Sequence, residues 1–380
     1  MEFIQDEMHA ELTRMYREYA QNTVKERAAE IDREERFPEE TAAELAEMGF
    51  LGIPFPEEYG GAGMDNLSYV QCVEELSKVC ASTGVLVSAH TSLCAWPIYN
   101  FGTEEQKKKY LIPLASGRKI GAFGLTEPGA GTDSAMQKTV AEDRGDYWLL
   151  NGSKCFITNA GPAETYVVFA MTDREAGNHG ISAFILEKGF KGFSIGKHEE
   201  KMGIRGSATA ELVFEDCAVP KENLLGELNK GFKIAMMTLD GGRIGIAAQA
   251  LGIAEGAIAE TVEYVKTRVQ FGKRISQFQN TQFELAQMMA STEAAKLLVY
   301  QAACAKDAHE PYSHLAAMAK LIAAQNASDV TRRCVQLFGG YGYTRDYPME
   351  RMMRDAKITE IYEGTSEVQK MVVSGWMGVK

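Results

Sequence analysis

The order of apolar and polar positions divides the chain into three stretches of different periodicity. Up to about residue 118, apolar residues recur at spacings of three and four, as at Val70, Val73 and Leu76. This spacing is typical of amphipathic helices. Helix-terminating pairs such as Ser116-Gly117 interrupt the pattern at intervals. The first stretch therefore predicts an N-terminal α-helical domain over residues 1–118.

Short apolar runs separated by turn-forming residues fill residues 119–225. The runs at 147–150 and 154–158 flank Asn151-Gly152, a pair that favours the tight turn of a β-hairpin. Because little helical pattern lies between the runs, we expect a central antiparallel β-barrel or sandwich and not a parallel βαβ sheet.

Helical periodicity returns over residues 226–380, with long stretches near 230–268, 280–308 and 313–338 and a last one from 364. Long amphipathic helices with short connections predict a C-terminal helical bundle. The predicted fold class is thus α+β and multidomain, with the order α, then β, then α.

Composition and charge narrow the classes of function. The net charge of −12 argues against a nucleic-acid partner, because phosphates require clustered Lys and Arg. No segment approaches the roughly 20 apolar residues of a membrane span, and residues 1–7 lack the pattern of a signal peptide. Seven scattered cysteines without a Cys/His cluster predict reduced thiols and no metal site. We therefore expect a cytoplasmic protein without membrane insertion.

The most conspicuous chemical motif is the glycine-rich segment 124–134, with the sequence GLTEPGAGTDS. Its glycines permit a ligand to approach the backbone, but an ordinary glycine turn explains them equally well. Its spacing fits neither the dinucleotide-binding glycine motif nor the phosphate-binding loop of nucleotide hydrolases. Phe156-Ile157-Thr158-Asn159, at the end of a predicted strand, suits a flat heterocycle or, alternatively, a core phenylalanine followed by a polar turn.

Further segments lie at helix ends or within helices. Asp240 and Arg243 share a helix face beside two glycines, and a simple ion pair explains their spacing. The basic segment 268–274 and the glycines of 336–342 fit either helix termination or phosphate and cofactor contact. Glu363 stands between Tyr362 and Gly364, in a position where most glutamates are simply solvated.

Taken in order, these segments resemble the signatures of the acyl-CoA dehydrogenases. The likeness runs through 127–133, 336–342, 353–358 and 361–367 and is greatest to the short-chain type. The resemblance implies an N-terminal helical domain, a β-barrel and a C-terminal four-helix bundle. It also implies a homotetramer, arranged as a dimer of dimers, with FAD bound partly across a subunit interface.

Site residues follow from the same resemblance, position by position. The flavin and its ribityl chain would be lined by Phe123, Leu125, Thr126, Thr132, Phe156 and Thr158. The adenosine diphosphate half would be contacted by Arg268, Gln270, Gln279, Gln336 and Gly340, often from a neighbouring subunit, and the dinucleotide site completed by Thr365, Ser366 and Glu367. The substrate would be bound by Thr132, Asp240, Arg243 and Gly364. Phe156 departs from the tryptophan that the family often has there.

The catalytic base implied by the resemblance is Glu363. Some members carry the base immediately before the position of Arg243, but this chain has Gly242 there, which cannot abstract a proton. The implied reaction removes the α-proton of a short-chain acyl-CoA, with butyryl-CoA expected, and passes electrons to an electron-transferring flavoprotein. The alternatives are a relative acting on branched, dicarboxylic or aromatic acyl-CoA, an enoyl-CoA reductase, and a catalytically inactive flavin-binding protein.

Overall fold

The computed structural model of the chain describes residues 6–379. The expectation about a signal peptide rests largely on residues 1–5, which lie outside the described residues. Within 6–379, no helix has the length and apolar character needed to cross a membrane. All seven cysteines are free, and six of them are buried, as small apolar residues would be.

Helices make up the N-terminal region, as predicted. Asp65 caps the largely buried helix Asn66–Ser77 by accepting a hydrogen bond from the Ser68 N–H at 2.8 Å. The segment Ala89–Ala95 continues one helix as a π-helical turn and packs against both the sheet and the C-terminal helices. The helices of this region are α1 Glu7–Tyr19, α2 Lys25–Glu34, α3 Glu39–Glu47, α4 Asn66–Ser77, α5 Ala81–Ser88, α6 Trp96–Phe101, α7 Glu104–Gln106 and α8 Ile112–Ala115.

The central strands form one sheet in the spatial order β6-β7-β3-β2-β4-β5-β8, and β1 pairs with β4. Most pairs are antiparallel, as expected, but β1 runs parallel to β4, so the sheet is mixed. The strands are β1 Gly121–Gly124, β2 Val140–Asp143, β3 Tyr147–Thr158, β4 Thr165–Met171, β5 Ile181–Glu187, β6 Phe193–His198, β7 Thr209–Pro220 and β8 Leu224–Leu225.

The hairpin predicted at Asn151-Gly152 is wrong. Both residues lie inside β3, at a shift of its register against β7. Gly152 has φ +143° and no space for a side chain, because a Cβ there would lie 2.5 Å from Thr139 Oγ1. Asn151 exchanges two hydrogen bonds with Asp216 across the pair. The two residues therefore form a β-bulge. Like a tight turn, this bulge needs a backbone conformation at positive φ, which glycine adopts readily.

The C-terminal helices agree with the predicted stretches. A small hairpin separates the first two, and α9 packs mainly on α11, α10 and α4. The elements are α9 Gly231–Thr267, β9 Val269–Gln270, β10 Lys273–Arg274, α10 Gln279–Asp307, α11 Ser313–Phe338, α12 Gly340–Tyr343, α13 Met349–Ile358 and α14 Ser366–Trp376. The domain boundaries at 118 and 225 stay predictions.

Helix α9 is central to the packing of the molecule, because it contacts helices of both the N-terminal and the C-terminal region along its length. A Cβ at Gly252 would lie 2.2 Å from the Glu74 carbonyl oxygen, and one at Gly256 would lie 2.0 Å from that of Lys78. Only glycine permits α4 to approach so closely. Gly242 and Thr267 are 25 residues apart on α9, so these two ends of the helix are about 38 Å apart at 1.5 Å per residue.

Candidate active site

Glu363 lies in the loop between α13 and α14, in a left-handed backbone conformation with φ +52°. This region is unfavourable for residues with a side chain. Gly364 follows with φ +92°. Its carbonyl oxygen accepts hydrogen bonds from Lys320 Nζ at 2.7 Å and from Gln369 Nε2 at 2.8 Å. The surrounding helices thus hold the loop in its strained form.

The carboxylate of Glu363 lies directly against α9 at Gly242. A Cβ built on Gly242 would be 2.1 Å from Glu363 Oε2 and 2.8 Å from Leu93 Cδ2. Glycine at this position is therefore a requirement for the placement of Glu363. The two positions considered for the base are adjacent in space, and only one of them holds a carboxylate.

The Oε2 atom of Glu363 is buried and has no hydrogen-bond partner within residues 6–379. Burial raises the pKa of this carboxyl to about 8, although Lys320 and Arg243 act to lower it. An ionised carboxylate without donors is costly in such a place. The arrangement produces a group that accepts a proton near neutral pH, which is the property of a general base.

Asp240 and Arg243 form the ion pair that their spacing suggested, with Arg243 Nη1 2.5 Å from Asp240 Oδ1. Ser313 Oγ donates to the same oxygen at 2.9 Å. Arg243 is only 5% exposed and its Nε has no partner within the described residues. Asp240 also lines an open cleft of about 610 Å³, together with Tyr312 and Trp376. The pair therefore lies between the surroundings of Glu363 and this open cleft.

The predicted flavin residues of the sheet lie together at the ends of β1 and β3. The Cys155 N–H donates to the Thr126 carbonyl oxygen at 2.9 Å, which joins the two strand ends. Phe156, at φ +58°, turns its ring outward and is 63% exposed. Phe123 and Leu125 share an apolar cluster with Leu93, the residue beside Gly242. This cluster links the strand ends to the wall of the Glu363 site.

A buried ion pair beneath the glycine-rich segment was missed by the sequence reasoning. Lys154 is fully buried, and its Nζ lies 2.7 Å from Glu127 Oε1 and 3.1 Å from the Leu125 carbonyl oxygen. The N–H groups of Lys138 and Thr139 also donate to Glu127, at 2.5 and 3.1 Å. Glu127 thereby fixes the segment that carries Thr132, whose side chain is exposed.

The residues predicted for the adenosine diphosphate half form a separate group at the far end of α9. Arg268 lies 5.5 Å from the centre of the Tyr341 ring. All five predicted residues are exposed, namely Arg268, Gln270, Gln279, Gln336 and Gly340. The length of α9 keeps this group far from Glu363 within one chain. Thr365, Ser366 and Glu367 instead begin α14, directly after Glu363, and Thr365 caps that helix.

These surfaces fit a long, flat cofactor with a diphosphate. Phe156 offers an exposed aromatic face, and the backbone at Gly339 and Gly340 borders open space. The N-terminus of α14 presents N–H groups suited to polar or anionic ligands. The residues present are thus compatible with FAD.

Lys320 was also missed, although it donates a hydrogen bond to the loop that carries Glu363. The sequence around it, AAMAKLIAA at 316–324, is an apolar helical run interrupted by one lysine. A lone charge on an otherwise buried face was the available signal, because such lysines are almost never fully buried without a reason. Gln369, which also bonds to this loop, and the hydrogen bond between Tyr362 and Gln249 were missed as well. The sequence around these residues contains no comparable signal.

Comparison with known proteins gives one consistent result. The N-terminal, middle and C-terminal domains described for acyl-CoA dehydrogenases match residues 6–118, 122–217 and 229–378, respectively. The short-chain specific acyl-CoA dehydrogenase of Clostridium acetobutylicum is 65% identical over 95% of each chain. Two solved structures each superpose with a TM-score of 0.98. One, butyryl-CoA dehydrogenase from Megasphaera elsdenii, is 54% identical and covers 99% of this chain and 100% of its own. The other, a chain from work on the electron transferring flavoprotein of Acidaminococcus fermentans, is 58% identical over 99% of both.

Proposed function

Because this chain belongs to the family of FAD-dependent acyl-CoA dehydrogenases, we propose that it converts short-chain acyl-CoA, with butyryl-CoA preferred, to the trans-2-enoyl-CoA. Glu363 is the base in this proposal. The observation that supports it most directly is the buried Glu363 Oε2, which has no partner within residues 6–379 and lies against Gly242.

The α-proton of a thioester is only weakly acidic, so the site must both remove it and stabilise the enolate that forms. Glu363 accepts the proton, and its raised pKa makes it a stronger base than an ordinary carboxylate. The Glu363 N–H makes no backbone hydrogen bond within the described residues. It is therefore free to donate to the thioester oxygen as negative charge develops there. FAD, when bound, supplies the acceptor for the hydride of the β-carbon.

The short-chain preference rests on the relatives and on the packing next to Gly242. One turn further along α9, a Cβ at Gly245 would lie 2.3 Å from Ser88 Oγ and 2.5 Å from the Tyr69 hydroxyl. These side chains pack closely on α9 about 4.5 Å beyond Gly242 along the helix axis, and Leu93 packs closely beside Gly242 itself. In this proposal, that packing limits the length of the acyl chain.

The exposed group at the far end of α9 serves FAD bound to a neighbouring subunit in a homotetramer. Apolar side chains are unusually exposed nearby, including Phe271 at 94% and Phe283 at 62%, as expected for a surface that another copy covers. Sedimentation of the FAD-loaded protein at four times 41.8 kDa supports this assembly. A monomer with one FAD per chain would contradict it.

The electron acceptor in this proposal is an electron-transferring flavoprotein, on the strength of the Acidaminococcus fermentans structure. We also propose that the protein acts in the cytoplasm. Its three domains in this proposal divide at residues 118 and 225.

The decisive experiment is anaerobic reduction of the purified yellow protein by a series of acyl-CoA thioesters. Butyryl-CoA should bleach the flavin fastest, ahead of octanoyl-, isobutyryl-, glutaryl- and phenylpropionyl-CoA. Faster bleaching by a branched, dicarboxylic or aromatic thioester would transfer the proposal to that substrate class. No bleaching by any of them would overturn it. Reoxidation of the reduced protein by crotonyl-CoA measures the reductase direction.

A further inference from the structure

Lys320 on α11 is fully buried among alanines and apolar side chains. Its Nζ makes one hydrogen bond within the described residues, to the Gly364 carbonyl oxygen at 2.7 Å. That carbonyl belongs to the residue after Glu363, in the loop held at positive φ. Lys320 therefore ends at the backbone that fixes the direction of the base.

An ammonium group in this position is costly. Burial lowers the pKa of Lys320 to about 8, and the negative charge of Glu363 opposes that effect. An apolar residue of similar length would pack here without loss of solvation. Gln369 already donates to the same Gly364 oxygen at 2.8 Å, so hydrogen bonding alone does not require a second, charged donor.

We propose that Lys320 is a positioning residue for Glu363, which holds the left-handed turn of the base and, through its charge, sets the pH range in which the base is ionised. This inference rests on the proposed function, in which Glu363 removes the α-proton. It assigns Lys320 no contact with the substrate.

Among the charged groups around Glu363, Lys320 has the largest effect on the pKa of the carboxyl. On α9, Arg243 faces the carboxylate but is already paired with Asp240 at 2.5 Å. On α4 and in the loop itself, Tyr69 and Tyr362 have raised pKa values and stay neutral. Lys320 is the strongest of the charges that lower the pKa of Glu363.

The charges around Lys320 are the same few groups. Glu363 is the strongest of those that favour its positive form, followed by the weaker influences of Glu360 and Glu367, while Arg243 opposes it. Neither of those two glutamates bonds to Lys320. The ammonium and the base are therefore each other's principal charged neighbours.

The sign of the effect follows from this pairing. Loss of the positive charge removes an influence that lowers the pKa of Glu363, so the carboxyl titrates above its present value of about 8. The rate of flavin reduction then rises at higher pH than in the wild type. If the titration of Glu363 moves upward by about one pH unit, the rate at pH 7 falls about tenfold.

Three variants separate charge from hydrogen bonding. Lys320→Gln keeps an N–H donor without charge, Lys320→Met keeps neither, and Lys320→Arg keeps both. Thr331→Val is the matched control, because Thr331 is buried on the same helix and bonds only within it. The measurement is the single-turnover rate of flavin reduction by butyryl-CoA from pH 6 to 10, with FAD content and melting temperature recorded for each protein.

We expect Lys320→Gln to move the rising limb of the pH profile upward by about one pH unit or more and to match the wild type at high pH, where Glu363 is ionised in both. Lys320→Met should move the limb equally and also show a lower rate at high pH, because Gln369 alone then holds the Gly364 carbonyl oxygen. Lys320→Arg should keep the rising limb at the same pH as in the wild type. Thr331→Val should leave it unchanged.

A limb in Lys320→Gln that coincides with the wild type would overturn the proposal. So would a Gln variant that no longer folds with FAD, since Lys320 would then have only a structural role. If no acyl-CoA reduces the wild type, the proposed function fails on its own. The infrared band of the protonated Glu363 carboxyl, assigned with Glu363→Gln, then decides the Lys320 proposal through its pH midpoint in the resting protein.

Discussion

Two buried carboxylates in this chain lie beside a buried lysine, and their protonation differs. Glu127 receives hydrogen bonds from Lys154 and from the N–H groups of Lys138 and Thr139. Burial acts to raise its pKa, but these donors outweigh burial and hold the pKa below its ordinary value. At Glu363 the lysine bonds to a backbone carbonyl instead, Oε2 has no donor within residues 6–379, and the pKa rises to about 8.

The comparison shows that a nearby positive charge does not by itself decide the state of a buried carboxylate. Both lysines have pKa values lowered to about 8 by burial, with an acidic neighbour opposing the effect. What differs is the number of donors that reach the carboxylate oxygens. With several donors, Glu127 is a fixed anion that shapes a loop. Without them, Glu363 keeps its affinity for a proton.

The largest expected effect is that of Glu363→Gln. Because Glu363 is the base in the proposed function, removal of its carboxylate should lower the rate of flavin reduction by about 10³-fold or more, toward the upper range for a general base. FAD and acyl-CoA binding should persist, because the amide has nearly the same shape. Stopped-flow reduction and a binding titration measure the two quantities. A normal rate would remove Glu363 from the mechanism.

Glu127→Gln tests the other carboxylate. It should lower the free energy of unfolding and have a smaller effect on the rate of flavin reduction. The variant leaves the Lys154 ammonium buried without its counter-charge, which costs about 3–5 kcal/mol. Urea unfolding of the FAD-loaded protein measures this loss.

The double variant Glu127→Gln/Lys154→Met is the control for that loss, because it removes the stranded charge and should recover part of the free energy of unfolding. If Glu127→Gln is as stable as the wild type but cannot be reduced by butyryl-CoA, Glu127 acts in catalysis and the contrast between the two carboxylates fails.

Gly242→Ala tests whether the position of the Glu363 carboxylate depends on the absence of a side chain at residue 242. The new methyl group would occupy a position 2.1 Å from Oε2 and would displace the carboxylate, so we expect the rate of reduction to fall about 10²-fold. Gly241→Ala is the matched control, since its methyl group meets only the flexible end of Lys306, at 3.0 Å. Both changes favour the helix by about 1 kcal/mol. Equal rates in the two variants would contradict the placement of Glu363.

The sequence predicted the helical and strand regions because periodicity reflects burial, which local pattern records well. The Asn151-Gly152 hairpin failed because a bulge and a turn select the same residues, and only pairing with β7 separates them. Glu363 could be located only through resemblance. Its distinguishing feature, an oxygen without donors, arises from Gly242, Leu93 and Lys320, which are distant in sequence. The role proposed for the exposed residues near Arg268 requires a second subunit, which no local pattern encodes.

The smallest expected effect is on stability, and it depends on pH. The folded state of Glu363 holds a proton up to about pH 8, whereas an ordinary glutamate releases it near 4.5. Between these values the free energy of unfolding falls as pH rises, because the folded chain binds more protons than the unfolded chain. Glu363→Gln cannot ionise, so it should match the wild type at pH 4.5 and be more stable above pH 8. We expect about 1–2 kcal/mol, below the limit of about 5 kcal/mol for the full difference in pKa, because the residue as a whole is partly exposed although its Oε2 atom is buried. Glu127→Gln should show no such gain at pH 8. Calorimetry at the two pH values checks both, and a Glu363→Gln protein less stable than the wild type at pH 8 would mean that the carboxylate has donors in solution.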